Sequence, residues 1–272
     1  MRTHLSYFIC TTPRTGSTFL CEAFRSCEVA GKPEEYFWYT DLPAWYKHWG
    51  ISTYEEFIEK VLEEGSTPNG VFGAKLFVGD YLDNFLDCLS KHKKRSGSDL
   101  TLAALLQGLF PGLHYVWLTR RDKVRQAVSW LIAFQTNVWW VRSHGEPRLV
   151  QLIQSVNKPS AVQRKEPEYD FERIDALVQE IVRREAAWQD FFRQQNVLPL
   201  TVVYEDFVGD CEGTILLLLE HLGVDAPKDL SLRLAKCSFQ KQASSISDEW
   251  VRRYLEEKRS GWQPAWHGYY LA

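Results

Sequence analysis

The sequence lacks the features that would assign it to a membrane, a metal or a nucleic acid. No apolar run approaches the roughly 18 residues that read as a membrane span. Met1-Arg2-Thr3-His4 leads directly into a strand-like run with no apolar stretch of signal-peptide length, so the expected location is cytoplasmic. The six cysteines, at 10, 21, 27, 88, 211 and 237, form no C-x-x-C pair, and no histidine cluster has zinc spacing. Free, mostly buried thiols and no metal site are therefore expected. Charge of neither sign dominates. A net charge of −3 and a pI near 6.2 argue against a general nucleic-acid surface but leave room for a local basic site. There are no internal repeats.

The chain does have enough apolar matter for a sizeable core. At 45% hydrophobic and 25% charged over 272 residues, it reads as a single α/β domain spanning 1–272 rather than as a disordered chain. Strand-like runs fall at 5–9, 71–77, 113–119 and 200–204. Helical patterns fall up to about 27 and at 54–63, 169–195, 214–222 and 248–258, with another after Asp122. Such alternation predicts a three-layer fold of the P-loop NTPase-like kind, with a central parallel sheet flanked by helices. The Trp- and Tyr-rich stretch 38–66 and the irregular stretch 137–168 read as insertions, either acceptor-side loops or a lid. The basic run Lys91–Arg95 reads as a solvated loop. Eleven tryptophans exceed what such a core commonly holds, and some of them suit stacking on a sugar or a base.

Three places carry chemistry. The first is Ser6–Thr18, an apolar run ending in Pro13-Arg14-Thr15-Gly16-Ser17-Thr18 before a helix. Strand, tight turn and helix make an anion cradle, because N–H groups at the helix start converge on the ligand and glycine permits close approach. The loop differs from G-x-x-x-x-G-K-[ST]: Thr11 stands at the first glycine position and Ser17 at the lysine position. The cation that serves a nucleoside triphosphate is thus missing, and Arg14 supplies positive charge instead.

The second place is the end of the 113–119 run. Ligands of open α/β sheets bind beyond the carboxyl ends of strands. There, P-loop hydrolases hold Mg²⁺ with a carboxylate, but this chain delivers Arg120. Ser129 lies about two and a half helical turns further on. Cation plus hydroxyl is a phosphate grip that needs no metal. The third place is Lys32-Pro33-Glu34-Glu35-Tyr36-Phe37. Paired carboxylates beside an anion cradle are electrostatically awkward, and proton acceptance is one reason to keep them.

With these residues in view, the chain resembles the sulfotransferases that use 3′-phosphoadenosine 5′-phosphosulfate (PAPS). More narrowly, it resembles the mycobacterial trehalose 2-sulfotransferase family. The resemblance rests on Arg14–Thr18, Gly31–Phe37, Thr67–Leu76, Arg120–Asp122 with Gln126–Ser129, Phe134–Thr136 and Ser247–Tyr254, in order along nearly the whole chain. Tyr204-Glu205-Asp206-Phe207 resembles a general sulfotransferase feature. The resemblance implies that Arg14, Thr15, Gly16, Ser17 and Thr18 bind the 5′-phosphosulfate, with Arg14 also stabilising the leaving group. It implies that Arg120 and Ser129 bind the 3′-phosphate and that Glu35 is the general base. Lys75 matches a family position without a defined role. Residues 240–244 occupy the place of a loop that closes over the nucleotide, without matching its usual Arg-Lys-Gly form. The implied acceptor is trehalose, another sugar or a glycolipid, and the implied assembly is a homodimer. A non-catalytic nucleotide-binding module and a P-loop kinase are the alternatives.

Overall fold

The computed structural model describes residues 3–95, 101–139, 166–237 and 245–261. Four strands form one parallel sheet: β1 (Leu5–Thr11), β2 (Val71–Phe77), β3 (Leu113–Thr119) and β4 (Leu200–Val203), in the order β2-β1-β3-β4. The chain leaves β1 for one side of the sheet, then crosses to the other for β3. The order therefore reverses at β1, and the crevice at a reversal is where such sheets bind ligands. Both the cradle after β1 and Arg120 after β3 lie at this edge, set level by the register Thr11↔Leu118.

Helices cover both faces, as buried parallel strands require. On one face lie α1 (Ser17–Cys27), α8 (Tyr204–Gly209) and α9 (Cys211–His221), where Leu20, Phe24, Phe207, Ile215 and Leu218 pack on Tyr7, Ile9, Val116 and Leu118. On the other lie α2 (Leu42–Trp49), α3 (Tyr54–Gly65), α4 (Asp80–Arg95), α5 (Leu102–Leu109) and the end of α7 (Phe171–Gln194). Trp45, Phe57, Phe85, Leu106 and Trp188 pack there on Phe8, Phe72 and Tyr115. A third cluster joins α6 (Lys123–Thr136), the start of α7 and α11 (Ser245–Ser260) through Val128, Leu131, Ile181, Trp250 and Tyr254. The short α10 (Leu230–Ala235) lies against α1.

Several boundaries differ from the sequence reading. β1 runs on through Cys10 and Thr11, because both pair on two sides, with β2 and with β3. The first half of the 38–66 stretch contains a further helix, α2, whose Trp45 is fully buried. The run expected as a loop at Lys91–Arg95 is instead the last turn of α4. Asp87 supports that turn through an ion pair to Lys91 at 2.5 Å, and cations suit a helix C-terminus. α9 begins at Cys211, before the expected Thr214, because Asp210 caps it by accepting from the Gly213 N–H at 2.8 Å. Most of the 137–168 stretch, and all of 240–244, lie outside the described residues.

Candidate active site

The cradle is built by a turn that only certain residues accept. Arg14 and Gly16 both have left-handed backbones, with φ of 65° and 82°. At Gly16 a side chain is also excluded sterically, since a Cβ there would lie 2.5 Å from the Tyr204 ring. The turn is anchored from beneath. Trp188 Nε1 donates to the Thr11 carbonyl at 2.8 Å, and Thr15 Oγ1 donates to the Thr12 carbonyl at 3.1 Å. Gln126 Nε2 donates to Thr12 Oγ1 at 2.9 Å and to the Pro13 carbonyl at 2.7 Å. These bonds occupy carbonyls of the turn from below, and α1 starts at Ser17 with no side-chain cap on its first N–H groups. The positive end of the helix dipole and those N–H groups suit an anion.

Two guanidinium groups meet beside this turn. Arg14 Nε donates to Ser129 Oγ at 3.0 Å, and its Nη1 donates to the Trp139 carbonyl. Arg120 Nη1 donates to the Arg14 carbonyl at 3.1 Å. The sequence reading assigned Arg14 to one phosphate and Arg120 with Ser129 to another. The structure brings all three into one cluster, with Ser129 against Arg14. Burial, and next the neighbouring Arg120 charge, pull the Arg14 pKa down to about 10. Burial likewise lowers that of Arg120. Two cations side by side in a partly desolvated site favour a multiply charged anion.

Arg120 is only 9% exposed and its Nε has no hydrogen-bond partner. The Glu205 carboxylate is nearest, at 3.8 Å, beyond hydrogen-bond range. Its guanidinium lies 4.7 Å from the centre of the Tyr204 ring, so Tyr204 fills the space between Arg120 and Gly16. Glu205 itself accepts from the N–H groups of Arg121 at 2.9 Å and Asp122 at 3.2 Å. Burial opposes the charge of Glu205, but these N–H groups outweigh burial and hold its carboxyl below the usual range. Behind the strand end, Lys123 bridges the Arg120 carbonyl and Glu185 of α7.

The third place, Lys32–Phe37, is pinned along its length. Gly31 is left-handed, at φ 72°, and a Cβ there would come within 2.7 Å of the Gly73 nitrogen. The Lys75 N–H donates to the Glu34 carbonyl at 2.8 Å, and the Phe37 N–H donates to the Tyr81 hydroxyl at 3.1 Å. The two carboxylates then diverge. Glu34 pairs with Arg25 of α1 at 3.0 Å, and Glu35 pairs with Lys75 of β2 at 2.6 Å. Lys75 sits opposite Ile9 in the β1–β2 register, two residues before the edge where the cradle begins.

Of the residues expected at the site, Arg14, Thr15, Gly16, Ser17, Thr18, Arg120 and Ser129 therefore share one neighbourhood, and Glu35 stands over the adjoining strand. Sequence reasoning gave no role to Tyr204, Gln126 or Trp139. Tyr204 had a usable signal, because it directly follows β4 at the same sheet edge. Among the described residues, no group of three or more His, Cys, Asp or Glu is arranged to hold a metal ion, and no helix is long and apolar enough to cross a membrane.

Comparison with known proteins follows this geometry. The chain is 29% identical to a trehalose 2-sulfotransferase of Mycolicibacterium smegmatis over 93% of its own length and 95% of the relative's. It is 28% identical to a trehalose 2-sulfotransferase of Mycobacterium tuberculosis over 92% and 94%. The sulfotransferase domain of the Synechococcus PCC 7002 olefin synthase aligns with 97% of this chain and 91% of its own at 17% identity, with a TM-score of 0.37, too low to carry an argument. The family model described as Stf0 sulphotransferase matches residues 6–257, nearly the whole chain, and the protein belongs to that family of sulfotransferase enzymes.

Proposed function

We propose that the protein transfers a sulfuryl group from PAPS to a hydroxyl of a sugar, with trehalose or a related disaccharide or glycolipid as acceptor. The observation that carries the donor assignment is the Arg14–Arg120 cluster beside the α1 N-terminus. Two adjacent cations, one with a buried Nε–H lacking a hydrogen-bond partner, suit a phosphorylated nucleotide, and membership of the sulfotransferase family supports PAPS as that nucleotide. The acceptor assignment is supported by the named activity of the two mycobacterial relatives.

The chemistry follows from the charges. An acceptor hydroxyl is a weak nucleophile, so a carboxylate must take its proton as the new oxygen–sulfur bond forms. Glu35 does this in our reading. The acceptor oxygen attacks sulfur in line, the bond from sulfur to the bridging phosphate oxygen breaks, and the electron pair stays with the departing nucleotide. Negative charge gathers on that oxygen, where Arg14 and the first N–H groups of α1 stabilise it. Arg120 stands where related hydrolases place a metal-binding carboxylate, so transfer is expected without a divalent metal.

The test is sulfate incorporation from labelled PAPS across disaccharides, glycolipids and cell extract, with and without excess chelator. PAPS-dependent labelling of a sugar that survives chelation supports the reading. Tight binding of adenosine 3′,5′-bisphosphate with no transfer to any acceptor contradicts it, as does activity that Mg²⁺ restores after chelation.

A further inference from the structure

Lys75 is a buried ammonium on the inside of a central sheet. It is 4% exposed, on a strand whose other positions are filled by Val71, Phe72, Gly73, Ala74, Leu76 and Phe77. Removing such a charge from water is expensive even when it is paired, and an apolar residue would pack this position without that cost. Burial alone would lower its pKa, but Glu35 overrides burial and raises it, so Lys75 stays protonated.

Holding the chain does not explain the lysine. The Lys32–Phe37 segment is already fixed by backbone bonds from Lys32 N–H to the Gly65 carbonyl at 2.8 Å and from Lys75 N–H to the Glu34 carbonyl at 2.8 Å. The fully buried Tyr36 and the Tyr81 hydroxyl, which accepts from Phe37 N–H and donates to the Lys75 carbonyl at 3.1 Å, add to these. None of these bonds needs the ammonium. What the ammonium fixes is one carboxylate. Glu35 rises from a rigid segment, its side chain 26% exposed, and is met from the protein side by Lys75 Nζ at 2.6 Å. Charged or titratable groups facing this pair include the Cys21 thiol from α1, the Glu34 carboxylate tied to Arg25 of α1, and the Tyr81 phenol from α4.

We propose that Lys75 is the positioning residue of the site: its buried ammonium aims the Glu35 carboxylate from beneath toward the acceptor hydroxyl. This rests on Glu35 acting as the base. The sequence replaces the loop lysine of nucleotide hydrolases with Ser17, and a lysine appears instead on the neighbouring strand, attached to the base rather than to the donor. During transfer the proton passes from the acceptor oxygen to Glu35 and then to water, while Lys75 remains an ammonium throughout.

The experiment compares the wild type with Lys75→Met, Lys75→Gln and Glu35→Gln, measuring kcat and acceptor KM with PAPS and, separately, adenosine 3′,5′-bisphosphate binding by calorimetry. Lys75→Gln keeps a hydrogen-bond donor in place and serves if the methionine variant does not fold. Removing the ammonium should lower kcat by about 10–10²-fold, less than the roughly 10²–10⁴-fold that losing the base itself costs, with the acceptor KM little changed. Nucleotide affinity should stay within about twofold. Wild-type kcat in the lysine variants, or a raised acceptor KM with kcat unchanged, overturns the proposal and leaves Lys75 a packing residue. Loss of nucleotide affinity in step with turnover overturns it as well. Wild-type turnover in Glu35→Gln would instead remove the base assignment itself, so the two failures are distinguishable.

Discussion

Arg14 and Arg120 bring two positive charges together, hold them with a hydroxyl and backbone carbonyls, and leave one buried Nε–H without a partner. Across β1, Glu35 and Lys75 bring opposite charges to 2.6 Å and Glu34 and Arg25 to 3.0 Å, in a segment whose backbone is bonded along its length. The first region leaves the Arg120 Nε–H without a hydrogen bond, with the Glu205 carboxylate at 3.8 Å, and suits an anion. The second already sets each of its two carboxylates against a cation. An incomplete region suits binding, because the ligand supplies the missing partner. A complete one suits a group that must keep a fixed place while a proton moves. Lys75 lies on β2 beside β1, which leads into the Arg14 turn, while Arg120 follows β3 on the far side of β1.

The contrast breaks most visibly at Glu35. Glu35→Gln is expected to reduce turnover by about 10²–10⁴-fold, the scale of general base catalysis, with nucleotide binding retained by calorimetry. Lost nucleotide binding would mean that the two regions are one. Arg120→Ala is the converse change and should weaken adenosine 3′,5′-bisphosphate by about 10–10²-fold, since a hydrogen bond to a charged group is worth about 1.5–3 kcal/mol. Adenosine 5′-phosphosulfate, which lacks the 3′-phosphate, should be weakened much less in the same titration. Equal weakening would take Arg120 away from the 3′-phosphate.

Gly16→Ala sharpens the contrast through the backbone. A left-handed alanine costs about 1–2 kcal/mol, and its Cβ must also displace the Tyr204 ring that lies against Arg120. Both thermal stability and nucleotide affinity should fall in this variant. Unchanged affinity would show that the turn does not shape the anion site.

The smallest effect comes from a like-charge pair of another kind. His114 of β3 and His221 of α9 have ring centres 5.3 Å apart. Burial, and next His221, lower the His114 pKa below its usual value. In the window between the depressed folded value and the ordinary unfolded value near 6.5, the unfolded chain binds more protons, so stability falls as pH drops through it. An imidazole can shed its charge in this pH range, whereas an arginine keeps its own. His114→Phe should flatten the loss of thermal stability below about pH 6.5, and an unchanged acid slope would remove His114 from that role.

Much of this was legible in the chain. The 113–119 strand was read with both ends correct, because a solid apolar run stops at Arg120-Arg121-Asp122 and Asp122 caps the next helix through Arg125 N–H at 2.8 Å. Ser129 was expected as a partner of Arg120, whereas the structure sets it against Arg14. The joining of Arg14 to Arg120 was not legible, because it depends on the left-handed turn at Arg14, which spacing does not report. The helical state of Lys91–Arg95 was hidden because a cation run looks alike in a loop and in a last helical turn. α2 was hidden because it spans only eight residues, although Trp45 and Trp49 are spaced i, i+4 and stack at 4.4 Å. The partner of Lys75 could not be read from sequence, because residues 35 and 75 are far apart in the chain and adjacent only across the fold.

The central claim is that the arginine cluster beside the α1 N-terminus holds the doubly phosphorylated nucleotide. A crystal structure with adenosine 3′,5′-bisphosphate tests it most directly. The account predicts one phosphate on the N–H groups at Gly16–Thr18 and a phosphate oxygen within hydrogen-bond reach of Arg120 Nε. A nucleotide bound anywhere else, or bound with Arg120 Nε still unpartnered, would contradict it.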